Sequence, residues 1–173
     1  MHVMVVSAIS RESSSCYVLA RQIEQMCLAQ DVDVDFVTPA NVGVPVNDGN
    51  VPDDLPEGVA WCERVAKAHC HIWVSPEYHG GMTGAMKNLF DYLAKAPMEG
   101  DVIGLVALAG GNMAALNTLN GMSVVARSLG AWVAPDLCAL NSNEVKAGLD
   151  DRAVARLAAM VASVIDMGRR VYT

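Results

Sequence analysis

Three short stretches of this chain combine polar side chains and glycines in the way that ligand-binding loops do, and each follows an apolar run. Residues Ser10–Cys16 carry four serines beside Arg11, Pro76–Gly80 leads into a glycine pair, and Gly110–Asn112 opens with another pair. Hydroxyl and N–H groups at a helix start, next to an arginine that can bind two oxygens, suit a phosphate monoester. The first stretch therefore predicts a phosphate site, although a serine-rich helix cap with a solvated arginine would have the same sequence.

The apolar runs that precede these stretches predict strands. Strands are predicted at residues 3–7, 31–37, 71–74, 102–108 and 131–134. The second alternates Asp with apolar residues, which is typical of an edge strand with one solvated face, whereas the first is apolar throughout. Five helices are predicted between and after the strands, the last beginning at Asp150 or Asp151. The connection 38–54 is rich in Pro, Gly and Asn and is predicted to be irregular.

Each helix is predicted to bury one apolar stripe. Thr83 can cap the helix after the third strand, and its stripe is then Met86, Leu89, Phe90 and Leu93. The other predicted stripes are Leu19, Ile23, Met26 and Cys27 in the first helix, Leu55, Val59, Cys62, Val65 and Ala66 before the third strand, and Val154, Leu157, Ala158, Val161 and Ile165 in the last helix.

Alternating strands and helices predict an α/β fold, with a parallel doubly wound sheet and helices on both faces. An edge-like second strand beside a buried first one fits the five-stranded order 2-1-3-4-5 of the flavodoxin-like fold. A chain of 173 residues suits a single domain, 1–173. The loops after strands one, three and four then lie together at the carboxyl end of the sheet, where ligands bind. The three polar stretches are those loops.

Composition excludes several classes of partner. The net charge of -7 argues against nucleic acid, which needs clustered Lys and Arg. No apolar run approaches the ~20 residues of a membrane span, and the first residues lack the pattern of a signal peptide, so a cytoplasmic location is expected. The 5 cysteines are scattered and are expected to be buried, reduced thiols. His69 and His71 flank Cys70 without a further ligand cluster, so they are interpreted as strand-edge histidines and no metal is expected.

The stretch Ser75–Asp91 (SPEYHGGMTGAMKNLFD) resembles the P-E-Y-N-x-x-x-x-x-x-L-K-N-x-x-D segment of the NADPH-dependent FMN reductase family, whose fold is flavodoxin-like. Ser7–Cys16 (SAISRESSSC) is similar to that family's phosphate loop, S-G-S-x-R-x-x-S-x-N. The segment Val106–Leu129 resembles its strand, Gly-Gly turn and helix. The chain departs from the family at Ile9 and Cys16, where hydrogen-bonding groups are usual, and at His79, where Asn is usual.

The resemblance implies a site for FMN. Its phosphate would be held by Arg11, Ser14 and the N–H groups of Ser10–Cys16, and the isoalloxazine edge would lie along Pro76–Gly80 with the glycine pair beneath or beside it. Glu77 would be structural or face a dimer partner, as would the helix face 87–91. No catalytic side chain is expected. The implied cofactor-binding residues are Ser10, Arg11, Ser14, Ser15, Cys16, Pro76, Glu77, Tyr78, His79, Gly80, Gly110 and Gly111.

The leading functional hypothesis is an NAD(P)H-dependent FMN reductase, or an FMN-containing quinone, azo or metal-ion reductase. Hydride would pass from NAD(P)H to N5 of FMN and then to a small-molecule electron acceptor. A homodimer or homotetramer is expected by analogy. One alternative is a flavodoxin-type electron carrier, and another is a flavin-free interaction protein, which the changes at Ile9 and Cys16 suggest. No obvious basic pair marks a site for the 2′-phosphate of NADPH.

Overall fold

The computed structural model describes residues 1–94, 96–111 and 115–172. These residues form six strands and seven α-helices, with a 3-10 turn at Ala96–Met98. The strands are β1 (His2–Ser7), β2 (Asp33–Val37), β3 (Cys70–Pro76), β4 (Val102–Ala109), β5 (Trp132–Val133) and β6 (Cys138–Asn141). The helices are α1 (Ser15–Leu28), α2 (Pro39–Val42), α3 (Pro56–Val65), α4 (Gly84–Asp91), α5 (Leu116–Ser128), α6 (Ser142–Ala147) and α7 (Asp151–Val171).

The strands form one parallel sheet in the order β2-β1-β3-β4-β5, which confirms the predicted topology. Five strands were expected, but the sheet contains six. β5 pairs with Val102 and Ile103 at the start of β4, and β6 pairs with the last four residues of the same strand. The two therefore occupy successive parts of one sheet edge. Pro135 lies between them, and a proline cannot donate an N–H to the ladder.

The connection 38–54 was expected to be irregular throughout, but it contains the short helix α2. Thr38 caps the short helix α2, because its hydroxyl accepts from the N–H of Asn41 and the Asn41 side chain accepts from the N–H of Thr38. Gly43, at φ +74°, ends the helix in the left-handed conformation that glycine adopts without strain. This reciprocal cap holds the chain close to the carboxyl end of β2.

The buried helix faces agree with prediction in α4, agree in α1 except that Met26 is only partly buried, and differ in α3 and α7. The stripe Met86, Leu89, Phe90 and Leu93 is buried, as predicted. In α3 the buried face contains Trp61 instead of Val59, which is 42% exposed. Trp61 takes that place because its indole N–H donates to the carbonyl oxygen of Leu89 on α4, at 2.8 Å.

In α7, Val154 and Ala158 are exposed and the buried face is instead Leu157, Met160, Val161, Val164, Ile165 and Gly168. Glycines allow this helix to lie close against the sheet. A Cβ on Gly168 would come within 2.1 Å of the Cys70 Sγ, and one on Gly104 of β4 would lie 2.7 Å from the Met160 Sδ. Because no side chain larger than hydrogen fits at either position, the close contact sets which face of α7 is buried.

The two histidines near Cys70 occupy different environments from those expected. His71 lies inside β3 with 1% of its surface exposed, and its Nε2 is 2.8 Å from the Asp101 Oδ2. It is therefore a core residue with a buried carboxylate partner. His69 precedes β3 and accepts from the N–H of His2 at Nδ1. Among the described residues no three side chains are placed to ligate a metal, and no helix there is long and apolar enough to cross a membrane.

Candidate flavin site

The loops that follow β1, β3 and β4 lie together at the carboxyl end of the sheet. The N–H of Ala8 donates to Val74 O at 2.9 Å, and the N–H of Glu77 donates to Leu108 O at 2.7 Å. These bonds continue the sheet pairing of β3 with each neighbour beyond the strands. The predicted meeting of the three loops is thus found in the structure, with the loop after β3 in the middle.

The loop after β1 ends at the N-terminus of α1. Ser14 is the cap, and its hydroxyl accepts from the N–H of Tyr17 at 3.1 Å. The N–H groups of Ser15 and Cys16 meet no acceptor within the described part of the chain. Arg11 and Ser13 are exposed beside them. Two open donors at the positive end of a 14-residue helix, next to a guanidinium and a hydroxyl, can bind an anion.

Two serines of this loop connect it to other parts of the chain. The hydroxyl of Ser10 accepts from the N–H of Ala40 in α2 at 3.0 Å, and that of Ser15 donates to Ser142 O at 3.1 Å. Ser142 begins α6, and its own hydroxyl donates to Ala109 O at 3.3 Å. The phosphate-type loop is therefore held from both sides, by α2 and by α6. Sequence reasoning missed Ala40 and Ser142, because nothing local relates them to the loop.

The side chain of Cys16 lies in the core and not at the loop surface. It is 4% exposed, and its Sγ donates to Val74 O at 3.3 Å. Burial raises the pKa of this thiol to about 11, the hydroxyl of Ser7 opposing the rise. The side chain of Cys16 therefore offers no hydrogen bond at the loop surface, and its effect on phosphate binding stays a prediction. Only the backbone N–H of Cys16 faces the open end of α1, and any residue supplies that group.

The loop after β3 makes a tight turn beyond Pro76, which is half-buried at the end of the strand. Tyr78 and Gly81 exchange two backbone hydrogen bonds, at 2.8 and 3.2 Å, and the two residues between them have positive φ: 52° at His79 and 83° at Gly80. Asn, Asp and His tolerate this conformation better than other side chains. A histidine in place of the family's asparagine is therefore compatible with the turn. Tyr78, His79 and Gly80 are all exposed.

Glu77 ties this turn to the helix after β4. Its Oε2 accepts from the N–H of Thr118 at 3.3 Å and from the Thr118 hydroxyl at 3.2 Å. Thr118 is buried in the first turn of α5, where a carboxylate is favoured by the helix dipole. The carboxylate of Glu77 is thus engaged within the chain, which agrees with the structural role considered for it. Thr118 is 41 positions away in sequence and carried no signal.

A pocket of about 320 Å³ lies between the second and third loops. It is lined by Glu77, His79, Gly80, Ala109, Gly110 and Gly111. A Cβ on Gly111 would meet no atom of the described residues within 4 Å, whereas one on Gly110 would lie 3.7 Å from the Ser142 hydroxyl oxygen. Asn112, the last residue of the predicted third loop, lies outside the described residues. The pocket walls are mostly backbone, which allows a flat ligand to approach closely.

Comparisons with known proteins identify first the class and then the family. The fold is shared with an oxidoreductase from Corynebacterium diphtheriae (TM-score 0.80, 16% identity, 98% of this chain and 97% of that one). It is also shared with the NADH:FMN oxidoreductase EmoB in its apo form (TM-score 0.74, 15% identity, 95% and 89%). The chain is therefore flavodoxin-like, with helices on both sides of a parallel sheet. The model of the family described as NADPH-dependent FMN reductase matches residues 1–145, and the chain belongs to that family.

Among curated relatives, an NADPH azoreductase from Bacillus sp. (strain OY1-2) is 27% identical over 149 residues, which are 86% of this chain and 81% of the relative. The NADPH-dependent FMN reductase ArsH of Acidithiobacillus ferrooxidans is 28% identical over 76% of this chain, which spans only about half (54%) of that relative. The chain is thus an NAD(P)H-dependent flavin oxidoreductase, and FMN is the cofactor of its family.

The described residues fit FMN. The phosphate needs donors, and the open N-terminus of α1 supplies N–H groups beside Arg11. The ring needs a flat surface with backbone donors, and the turn after β3 supplies the N–H groups of His79 and Gly80, for which no acceptor is found in the described ranges. Among the described residues, Gly111 leaves room on the other side. Both halves of the ligand would therefore meet suitable groups at one end of the sheet.

Proposed function

We propose that this protein transfers hydride from NAD(P)H, by way of FMN, to a small-molecule electron acceptor such as a quinone or azo compound. When bound, FMN supplies a hydride-accepting atom, N5, and the chain supplies binding and orientation. The observation that carries the proposal is the pairing of an anion-binding helix start with a glycine-lined pocket at the same sheet end. The azoreductase relative supports the acceptor class.

The residues at the helix start would bind the phosphate of FMN. Arg11 can present two N–H groups to it, and the N–H groups of Ser15 and Cys16 can donate from below. The hydroxyl of Ser14 is engaged by the N–H of Tyr17 but can still donate its own hydrogen. None of these groups has to move in order to act. The loop is already fixed by its bonds to Ala40 and Ser142.

The turn after β3 would orient the ring. The N–H groups of His79 and Gly80 are the donors that can stabilise negative charge as it develops on the ring. Glu77 fixes the turn against α5 and its carboxylate is occupied there, so it is not available as a proton donor. We infer that the chain needs no side-chain acid or base, and that positioning and backbone electrostatics are its contributions.

Replacement of Arg11 tests the phosphate site. In Arg11→Ala the dissociation constant for FMN should rise about 10- to 100-fold, because a hydrogen bond to a charged group is worth ~1.5–3 kcal/mol. The rate of NADPH oxidation by the FMN-saturated variant should change little. Arg127→Ala is the matched control, since Arg127 is an exposed arginine on α5. Quenching of flavin fluorescence measures both affinities, and equal FMN affinity in wild type and Arg11→Ala would contradict the site.

The two alternatives are weaker. The flavin-free hypothesis rested on Ile9 and Cys16, and the thiol of Cys16 lies in the core, away from the loop surface. The electron-carrier hypothesis is distinguished by a simple assay. A carrier would not oxidise NADPH steadily in the presence of a small acceptor without a partner reductase, whereas the proposed reductase would.

We also propose that the chain is one domain that assembles as a homodimer or homotetramer. A pocket of about 590 Å³ lies between the connection 39–47 and α4, and Val46 at its rim is 76% exposed. A second copy could cover this apolar rim. Light scattering should give a multiple of the 18.3 kDa chain mass. Val46→Asp should lower it, whereas Val124→Asp, at an exposed valine of α5, should not. A monomer mass for the wild type would refute the assembly.

A further inference from the structure

A second pocket, of about 430 Å³, adjoins the glycine-lined one. It lies between the end of β6, helix α6 and the first two turns of α7, and it shares Gly111 with the first pocket. Its lining is Gly111, Ala139, Leu140, Asn141, Glu144, Asp150, Arg152, Ala153 and Arg156. Because Gly111 borders both pockets, a single extended ligand could occupy both by passing this residue.

Two arginines give the second pocket its chemistry. Arg152 and Arg156 are four residues apart on α7, so both project from one face of the helix. Within residues 1–94, 96–111 and 115–172, no carboxylate lies within 4.0 Å of either guanidinium, although Arg21, Arg64 and Arg169 each have such a partner. Two unpaired guanidinium groups that line one concavity suit a phosphate dianion, which each can bind with two N–H groups.

The pocket also contains two carboxylates, which limit where an anion could lie. Asp150 caps α7, and its Oδ1 accepts from the N–H of Ala153 at 2.7 Å. Glu144 lies in the first turn of α6. Because the lining carries two positive and two negative side chains, it would not attract anions in general. A phosphate would be favoured only beside the arginine pair, and Glu144 could accept a hydrogen bond from a sugar hydroxyl.

We propose that this pocket binds the phosphorylated ribose of NADPH, with Arg152 and Arg156 on its 2′-phosphate. The proposal rests on the proposed function, since it places the rest of the dinucleotide over Gly111 toward the ring pocket. Both arginines lie after residue 145, beyond the segment that the family model matches. The two arginines are four positions apart on a helix, so the sequence alone does not show that they line one pocket. The arginine pair is thus a specificity-determining feature of this chain.

NADP⁺ and NAD⁺ differ only in that phosphate, so their affinities isolate its contribution. Calorimetry on FMN-saturated protein should show tighter binding of NADP⁺ than of NAD⁺ by the wild type. Arg152→Ala and Arg156→Ala should each weaken NADP⁺ binding about 10-fold or more, with NAD⁺ binding unchanged. Arg156→Lys should keep part of the preference, because it keeps the charge. Arg127→Ala should keep all of it.

Three outcomes would overturn the proposal: equal affinity of the wild type for NADP⁺ and NAD⁺, an unchanged preference in both alanine variants, or equal weakening of both dinucleotides. A rise in the FMN dissociation constant in these variants would also overturn it, since the arginines would then serve the FMN phosphate. Failure of the proposed function would give a different experimental result from failure of this proposal. A protein that prefers NADP⁺ through the arginine pair yet passes no electrons to acceptors would retain this site and refute only the reductase activity.

Discussion

The two ends of the sheet are built in opposite ways. At the amino end, His71, Asp101 and Tyr172 form a network in which the buried carboxylate meets both a ring nitrogen and a phenol hydroxyl. At the carboxyl end, the N–H groups of Ser15 and Cys16 face outward without an acceptor in the described ranges. Polar groups that pair with each other stabilise the fold, whereas polar groups left open can bind a ligand. The amino end of the sheet therefore contributes to stability, whereas the carboxyl end has groups that can bind a ligand.

The amino end fastens the last helix to the sheet. Tyr172 follows α7, its hydroxyl donates to Asp101, and its ring meets that of His69 edge-on at a centroid distance of 4.7 Å. Burial raises the pKa of Tyr172 above its usual range, and the bond to Asp101 raises it further. His71 and Asp101 are 1% and 2% exposed. The network therefore connects α7, β3 and the residue before β4, with His71 and Asp101 closed to solvent and Tyr172, which is 47% exposed, at the surface.

The largest expected effect is at that network. Asp101→Ala leaves the His71 ring and the Tyr172 hydroxyl without their partner, and because a hydrogen bond to a charged group is worth ~1.5–3 kcal/mol, the loss of two should cost about 3 kcal/mol or more. Urea unfolding followed by circular dichroism measures the loss. Asp136→Ala, at an exposed carboxylate after β5, should cost less than about 0.5 kcal/mol. FMN affinity of the folded Asp101 variant should stay close to wild type, and a large change would show that the two ends are not independent.

The next largest effect is a loss of stability at alkaline pH, caused by the thiol of Cys16, which lies beneath the phosphate loop. The pKa of Cys16 is about 11 in the folded chain against 9.0 for an unburied thiol. Since the unfolded state ionises first, this contribution to stability is complete below pH 9 and is lost as the pH rises toward 11. Between these limits the wild type should lose about 2–3 kcal/mol more than Cys16→Ala. Urea unfolding at pH 8 and at pH 10.5 tests the difference, and parallel losses would contradict it.

A smaller effect separates two buried tryptophans in the core between the ends. The indole N–H of Trp61 donates to Leu89 O at 2.8 Å, whereas that of Trp73, also buried, has no partner among the residues that the structure describes. Phe in place of either removes similar apolar volume, but only Trp61→Phe leaves a carbonyl without its donor. Trp61→Phe should therefore be about 1 kcal/mol more destabilising than Trp73→Phe by thermal unfolding. Equal losses would mean that the Trp61 bond adds no net stability.

Features that depend on residues close together in the sequence could be predicted, whereas features that depend on residues far apart could not. The caps at Ser14 and Thr83 act within three residues, and the stripe of α4 repeats along one helix, so both the strand order and the ends of the site loops could be inferred. The bonds from Ser15 to Ser142 and from Glu77 to Thr118 span 127 and 41 positions. No local pattern encodes such pairs. For the same reason, the burial of Trp61, the strand β6 and the pocket that Arg152 and Arg156 line were not predicted.

The smallest expected effect is at the turn after β3, where the carboxyl end holds a residue under backbone strain. His79 has φ 52°, a conformation that costs most L-residues ~1–2 kcal/mol and costs asparagine less. His79→Asn should therefore stabilise the chain by a few tenths of a kcal/mol and leave FMN affinity unchanged, since the ring would meet the backbone N–H in either case. His79→Val should destabilise it by ~1–2 kcal/mol, because a β-branched side chain is poorly tolerated there. Thermal unfolding and flavin fluorescence measure the two quantities. If His79→Asn instead weakened FMN binding about 10-fold, the imidazole itself would contact the flavin, and the carboxyl end would bind its ligand through a side chain as well as through its backbone.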